Sequence, residues 1–397
     1  MATQRIYLDH AATTPVRPEV REAMLPFLGD EAFGNPSSPH WFGRMARAGL
    51  EAARKRVADA LGVEVRDVLF TSGGTEADNL AILGCAMSAC GGMDLARAHI
   101  VATPIEHKAV LAALHEAELY GAKTTLLPVD TRGVVDLDAL DKVLSGTPKP
   151  TVVSVMWVNN ETGVIQPAEE IAGLCAAAGV PFHSDAVQAF GKVPMRLDQA
   201  PGVTFCSISA HKIGGPKGVG AIVVQGRKGL HPLMHGGGQQ GGLRPGTENV
   251  PGAVALGVAA QMAAEEQPAT LARLAAIRDA VEAELKKRVS DLVIHGEGAK
   301  RGPNILHMSA PGTDSEAMLM HLDLAGLACA SGSACQTGSV EPSHVLSGMG
   351  TPKDIAIAAV RMSFGSLSSQ DQVPRIADAF DQVVTKVRAL RAVLARA

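Results

Sequence analysis

The residues best placed to do chemistry lie in one run, Thr204-Phe-Cys-Ser-Ile-Ser-Ala-His211-Lys212-Ile-Gly-Gly-Pro-Lys-Gly218. Its first six residues are apolar and β-prone, and the glycines and proline after Lys212 cannot extend a strand. An ammonium at the mouth of a buried strand loses hydration. Its pKa falls, and the neutral amine can attack a carbonyl. That is what a lysine forming a Schiff base with pyridoxal phosphate (PLP) requires. Alone, the same lysine reads as a surface ion ending a strand, so the other segments must decide.

Phe182-His-Ser-Asp185-Ala-Val-Gln188 ends another apolar strand in a carboxylate, with an amide three residues on. An unpaired buried carboxylate is expensive, so Asp185 should face a cation. A protonated pyridine nitrogen is one such cation, and Gln188 could bond a ring hydroxyl. Metal binding by His183 and Asp185 competes, although no third ligand stands at a matching spacing.

Phe70-Thr-Ser-Gly-Gly-Thr75-Glu76 reads as strand, glycine turn and helix start, a place that favours an anion. It lacks both the P-loop ending and the dinucleotide spacing, so it implies a phosphate without a nucleotide. Glu106-His107-Lys opens a helix after a strand; the imidazole could lie over an aromatic ring or carry protons, or simply fill a helix start. Val158-Asn159-Asn160-Glu161-Thr-Gly puts paired amides at a strand end and, alone, is a turn. The glycine-dense stretch 231–249 presents Arg244 and Thr247 to an anion, or is a surface loop.

Cys329-Ala-Ser-Gly-Ser-Ala-Cys335-Gln-Thr-Gly-Ser is small and movable. Cys335 lies among residues that cannot bury it, so it should be an accessible thiol, whereas Cys329 follows an apolar run and reads as core. Ala359-Val-Arg361-Met-Ser-Phe-Gly places a guanidinium inside a short strand. There it needs an anion: a substrate carboxylate gripped by two parallel bonds, or a structural salt bridge.

The elements that must position these groups alternate. Strands are expected at 68–71, 99–103, 124–129, 151–158, 182–184, 204–209 and 220–224, with helices at 75–89, 107–120, 137–144 and 168–178. Helices at 19–28 and 41–61 precede them. This pattern means a mostly parallel sheet covered on both faces, with its ligand beyond the carboxyl ends of the strands. A core helix at 254–264 follows, and near 265–269 the pattern changes. Beyond lie an amphipathic stretch at 271–289, strands at 292–295, 304–308 and 360–364, and helices at 315–324 and 371–394. These form a second, smaller α+β unit joined by the N-terminal segment.

The chain has 397 residues, net charge -4 and 46% hydrophobic content. This argues against nucleic-acid or anionic-membrane binding. No stretch reaches the roughly 20 apolar residues of a membrane span, and the N-terminus has no apolar signal core, so a cytoplasmic, reducing compartment is expected.

Together these segments resemble the group I cysteine desulfurases (NifS/IscS type), fold-type I PLP enzymes. The matches are Tyr7-Leu-Asp-His-Ala-Ala-Thr-Thr-Pro, Phe33-Gly-Asn-Pro-Ser-Ser, Phe70-Thr-Ser-Gly-Gly-Thr-Glu, Glu106-His-Lys, Val158-Asn-Asn-Glu-Thr-Gly, His183-Ser-Asp-Ala-Val-Gln, His211-Lys-Ile-Gly-Gly-Pro-Lys-Gly, Arg244-Pro-Gly-Thr-Glu-Asn and Ser331-Gly-Ser-Ala-Cys. The last is the most specific, since PLP aminotransferases of this fold lack it. Ala210 departs from the pattern, where relatives usually have glycine.

The resemblance implies an aspartate-aminotransferase-like α/β fold. A mostly parallel seven-stranded sheet would lie in a large domain at 16–262. A small domain of 1–15 plus 263–397 would carry the cysteine loop at about 329–341. It makes Lys212 the cofactor lysine, with Asp185 on the pyridine nitrogen, Gln188 on the ring oxygen and His107 stacked on the ring. Gly74, Thr75, Ser209 and His211 would hold the phosphate, and Thr247 would reach the phosphate of the other subunit of a homodimer. Asn160 would contact cofactor and substrate, and with Asn35 and Arg361 grip the carboxylate of L-cysteine. Cys335 would take the sulfur as a persulfide, leaving alanine, and pass it to a sulfur-accepting scaffold protein for iron–sulfur cluster assembly. No resident metal is implied, although Cys335 could transiently ligate a cluster. The loop after Cys335 and the Val155–Gly163 and Arg244–Asn249 segments look nearest the nitrogen-fixation-specialised members. A housekeeping desulfurase serving cluster assembly or tRNA thiolation, a selenocysteine lyase or an aminotransferase would be a rival within the fold. A non-catalytic α/β protein binding a phosphorylated metabolite would be one outside it.

Overall fold

A computed structural model describes residues 5–227, 229–332 and 341–394. Twelve strands are seen among them. The first eight are β1 (Ile6–Tyr7), β2 (Val68–Thr71), β3 (His99–Ala102), β4 (Lys123–Leu126), β5 (Val152–Ser154), β6 (Phe182–Asp185), β7 (Val203–Ser209) and β8 (Gly220–Val224). The rest are β9 (Val293–Ile294), β10 (Ile305–Ser309), β11 (Leu327–Ala328) and β12 (Ala359–Ser363).

Seven of them form one sheet in the order β2-β8-β7-β6-β5-β3-β4. Only β8 runs antiparallel to its neighbours. Side chains alternate across this sheet as strand geometry demands. Val68, Phe70, Ala221 and Val223 enter one core and Leu69, Ile222 and Val224 the other. Both faces are therefore dry, which suits a sheet of near-continuous apolar strands. Helices α1 (Pro18–Leu28), α2 (Trp41–Leu61), α3 (Gly74–Cys90), α4 (Lys108–Leu119), α5 (Leu137–Leu144) and α6 (Ala168–Ala178) belong to this part of the chain. The carboxyl ends of β2, β3, β5, β6 and β7 share one edge, and the segments carrying Gly74, His107, Asn160, Asp185 and Lys212 leave the sheet there.

Two expectations change. The strand read at 151–158 ends at Ser154: beyond it Val155 N and Trp157 N still donate to the His183 and Asp185 carbonyls of β6, but Met156 N turns to the Glu106 carboxylate. The helices read separately at 254–264 and 271–289 are one, α7 (Val250–Arg288), which runs through Pro268. The expected domain boundary at 262/263 thus falls inside a continuous helix. Gly257, which looks like a helix breaker, lets α7 meet α2: a Cβ there would lie 2.7 Å from Ala53 Cα. On the later turns of α7, Leu274, Ile277, Val281 and Leu285 recur at helical spacing and enter a separate core. That core also holds Leu306, Met362 and Phe380 from the β12-β10-β9 sheet and the terminal helix (Val373–Leu394). Ile6 and Leu8 reach it as well, through the parallel pairing of β1 with β11.

No helix among the described residues is long and apolar enough to cross a membrane.

Candidate active site

Residues 9–15 cross from the second core to the carboxyl edge of the large sheet. Thr14 binds the Lys212 segment from both sides. Its N–H and its hydroxyl donate to the His211 carbonyl at 2.8 and 3.0 Å, and its Oγ1 accepts from Gly214 N at 2.9 Å. Beneath this strap lies a cavity of about 590 Å³. It gathers Gly74, Thr75, His107, Asn160, Asp185, Gln188, Ser209, His211, Lys212 and Arg361 from segments spread over almost the whole chain. Asn35 and Thr247 are not brought to it. Asn35 is exposed and its Oδ1 accepts from Ser37 N, a local turn that directs the side chain back on its own backbone. Thr247 is also exposed. Arg244, expected to be offered to an anion, is instead paired with Glu76 on α3 at 2.9 Å. Cys335 lies outside the described residues, while Ser331 and Gly332 border the cavity.

Lys212 emerges from β7 into a short turn (Ala210–Lys212), and its Nζ donates to the Ala11 and Ala12 carbonyls at 2.7 and 2.8 Å. Burial, and then the Arg361 charge, lower its pKa to about 8 against the pull of Asp185 and Asp9. The neutral amine is therefore accessible near neutrality, as a nucleophile needs. His211 is driven down to about 4, first by burial and then by Lys212, so its imidazole is neutral.

Asp185 ends β6, 6% exposed, and its Oδ1 accepts from Val187 N at 2.9 Å. Burial, then the neighbouring Asp78, raise its pKa to about 6. Asp78, not anticipated from sequence, is buried; its Oδ1 accepts no hydrogen bond, lies 3.5 Å from His183 Nε2, and burial lifts the carboxyl to about 7. It stands four residues after Gly74 on α3, a spacing that shares one helix face and could have flagged it. Asp78, His107 and Asp185 bring possible ligand atoms within 4.8 Å of one another. The metal alternative built on His183 fails on geometry. His183 is buried between Ser154 Oγ at 2.8 Å and Ser207 Oγ at 2.9 Å, and burial lowers it to about 4.

His107 caps α4, its Nδ1 accepting from Ala109 N at 3.2 Å, which puts its proton on Nε2. Desolvation by the surrounding walls outweighs the pull of Asp185 and lowers its pKa. Arg361, in the middle of β12 and 6% exposed, donates to the Asn160 carbonyl and to Asp9 Oδ1, both at 2.8 Å. The substrate-facing and salt-bridge readings of this residue meet in one place: it lines the cavity and already has a carboxylate partner.

The aminotransferase class-V family model matches residues 6–376. The chain belongs to that family. Cysteine desulfurase IscS of Dictyoglomus turgidum is 42% identical over 388 residues, covering 98% of this chain and 96% of that protein. A cysteine desulfurase of Cereibacter sphaeroides is 43% identical over 391 residues, covering 98% and 97%. The solved structure of a NifS-like protein superposes with a TM-score of 0.88 at 34% identity, covering 96% of this chain and all of that one. The enzyme is a group I, PLP-dependent cysteine desulfurase with the fold-type I architecture. The relatives named as cysteine desulfurases set aside the aminotransferase and non-catalytic readings.

The residues fit the cofactor. Asp185 is a buried carboxyl with no cationic partner among the described residues, and a protonated ring nitrogen supplies that charge. The N-terminus of α3 opens at Gly74, where a Cβ would lie 2.8 Å from Val187 Cγ2, so glycine keeps this anion-favouring helix start uncrowded. When bound, PLP supplies an aldehyde to capture an amine and a conjugated ring to absorb electrons. The desulfurase's own groups provide a nucleophilic amine at Lys212, a neutral imidazole at His107 and a fixed guanidinium at Arg361.

Proposed function

We propose that the enzyme moves sulfur from L-cysteine to Cys335 and hands it to a scaffold protein that builds iron–sulfur clusters, in the branch serving nitrogenase maturation. Arg361 and Asn160 hold the substrate carboxylate, and Lys212 and His107 hold and move the protons at Cα and Cβ. The Cys335 thiolate bonds to the substrate sulfur as the Cβ–S bond breaks, leaving a persulfide on the enzyme and alanine as product. Gly74, Thr75, Ser209 and His211 receive the phosphate, Asp185 the ring nitrogen and Gln188 the ring oxygen. Thr247, exposed on this chain, reaches the phosphate of a second copy, and the working form is a homodimer. Asn35, turned back on Ser37 in this chain, joins the grip on the substrate carboxylate in that assembled form.

The observation that carries this reading is the convergence of Lys212, His107, Asp185 and Arg361 on one cavity, the first three from segments matched to the family. The test is L-cysteine turnover by purified holoenzyme. Cys335→Ala should abolish persulfide and sulfide formation while the bound cofactor's visible absorption persists. Retained sulfur release in that variant overturns the role of Cys335. For the nitrogenase branch, deletion of the gene should impair growth on dinitrogen and spare growth on fixed nitrogen. Equal impairment on both favours a housekeeping role instead.

A further inference from the structure

Gln188 is held at both ends of its amide. Its Nε2 donates to the Ala11 carbonyl at 2.8 Å, and its Oε1 accepts from Lys192 Nζ at 2.7 Å. Gln188 is 4% exposed and Lys192 8%. An amide has one accepting and one donating end, and the Ala11 carbonyl only accepts, so it takes the NH2 end and turns Oε1 toward the Lys192 nitrogen. A flipped amide would set its NH2 against Lys192 and its oxygen against the Ala11 oxygen. The orientation leaves the second N–H of Nε2 for an acceptor in the cavity that Gln188 lines with Lys212.

Lys192 itself is oddly placed. No carboxylate pairs with it among the described residues. Burial, then Lys212 and Arg361, act against its charge, and His10 and His211 lie close enough to feel it. A lysine in such surroundings gains nothing from ion pairing, and among the described residues its side chain bonds to Gln188. Donation to Oε1 also polarises the amide, making its remaining N–H a stronger donor.

We propose that Lys192 is a positioning residue of the desulfurase, acting through Gln188 to aim and strengthen an N–H donor toward the oxygen of the cofactor ring. This rests on the reading that Gln188 meets that oxygen. A donor there competes for the oxygen's lone pairs, and so lowers the pH at which the bound cofactor's visible band changes.

The test compares Lys192→Met, Lys192→Arg, Gln188→Ala and the Lys192→Met/Gln188→Ala double variant as holoenzymes. The pH midpoint of the visible band and the retention of PLP on dialysis are measured. Lys192→Met should raise the midpoint by roughly half a unit to one unit and weaken retention roughly three- to tenfold. Lys192→Arg, which also only donates, should restore most of both. In the Gln188→Ala background the lysine substitution should change neither further. If Lys192→Met leaves both readouts in place while Gln188→Ala moves them, the proposal is overturned. Shifts that add in the double variant overturn it too, since Lys192 then acts as an independent charge. If Gln188→Ala moves nothing, the reading of Gln188 falls, and this proposal with it. Should Lys192→Met fail to fold by circular dichroism, Lys192→Leu replaces it as another residue without a donor. A raised midpoint supports the proposal, and an unmoved midpoint overturns it.

Discussion

Nη2 of Arg361 lies 2.8 Å from Oδ1 of Asp9, joining two residues 352 positions apart. The guanidinium assigned to the substrate carboxylate therefore already shares its charge with a protein carboxylate. Asp9 competes with the substrate for it. Asp9→Asn keeps an accepting oxygen but removes the charge, and should lower KM for L-cysteine about two- to fivefold. Arg361→Lys, which loses the planar fork, should raise KM roughly tenfold or more. Steady-state alanine production measures both. A rise in KM for Asp9→Asn as large as that for Arg361→Lys would show that Asp9 orients the arginine instead of competing for it.

The lowered pKa of Lys212 fixes a pH dependence. The neutral amine is the reactive form, and its fraction grows as pH rises toward about 8, then saturates. The rate at which cofactor-depleted enzyme regains its visible band on adding PLP should rise between pH 6 and 8, about tenfold per unit at the low end, and level above that. A rate still climbing steeply from pH 9 to 10 would mean that burial does not lower the lysine.

Asp78 is raised to about 7 by burial, from a carboxyl's ordinary value of 3.8. The folded chain keeps a proton that the unfolded chain releases, so stability falls as pH climbs from about 4 through about 7. Asp78→Asn removes that slope. Cofactor-depleted enzyme carrying it should gain about 2–4 kcal/mol at pH 8 and nothing at pH 4. Urea unfolding at the two pH values checks this, and a loss at pH 8 would contradict it.

Gly74→Ala sets a methyl 2.8 Å from Val187 Cγ2, at the mouth of α3. Retention of PLP should fall roughly tenfold, and Gly74→Ala/Val187→Ala should recover part of it by clearing the contact. Dialysis followed by absorbance reads the difference. Full retention in the single variant would show that the backbone there does not approach the phosphate.

Lys212 and Asp185 were legible in sequence for one reason. Each places a charge where an apolar strand stops, and the cost of burying a charge makes such positions informative. The limits of α2, α5 and α6 were equally plain from spacing and flanking turns. The single helix α7 was not, because Gly257 and Pro268 look like interruptions. One is a close contact with α2 and the other is tolerated within the helix. The Asp9–Arg361 pair leaves no local pattern at all. Asn35 shows the reverse failure: a family motif names the residue, but its Asx turn decides where the side chain goes.

Helix α7 spans 39 residues, roughly 58 Å at the usual rise. Its first turns are roofed by one core and its last by the other, and half of such a helix stripped of cover would fray. Loss of either core thus exposes its share of the common rod and loosens the other. The two halves should melt together, as one endotherm in a calorimeter, despite their separate interiors.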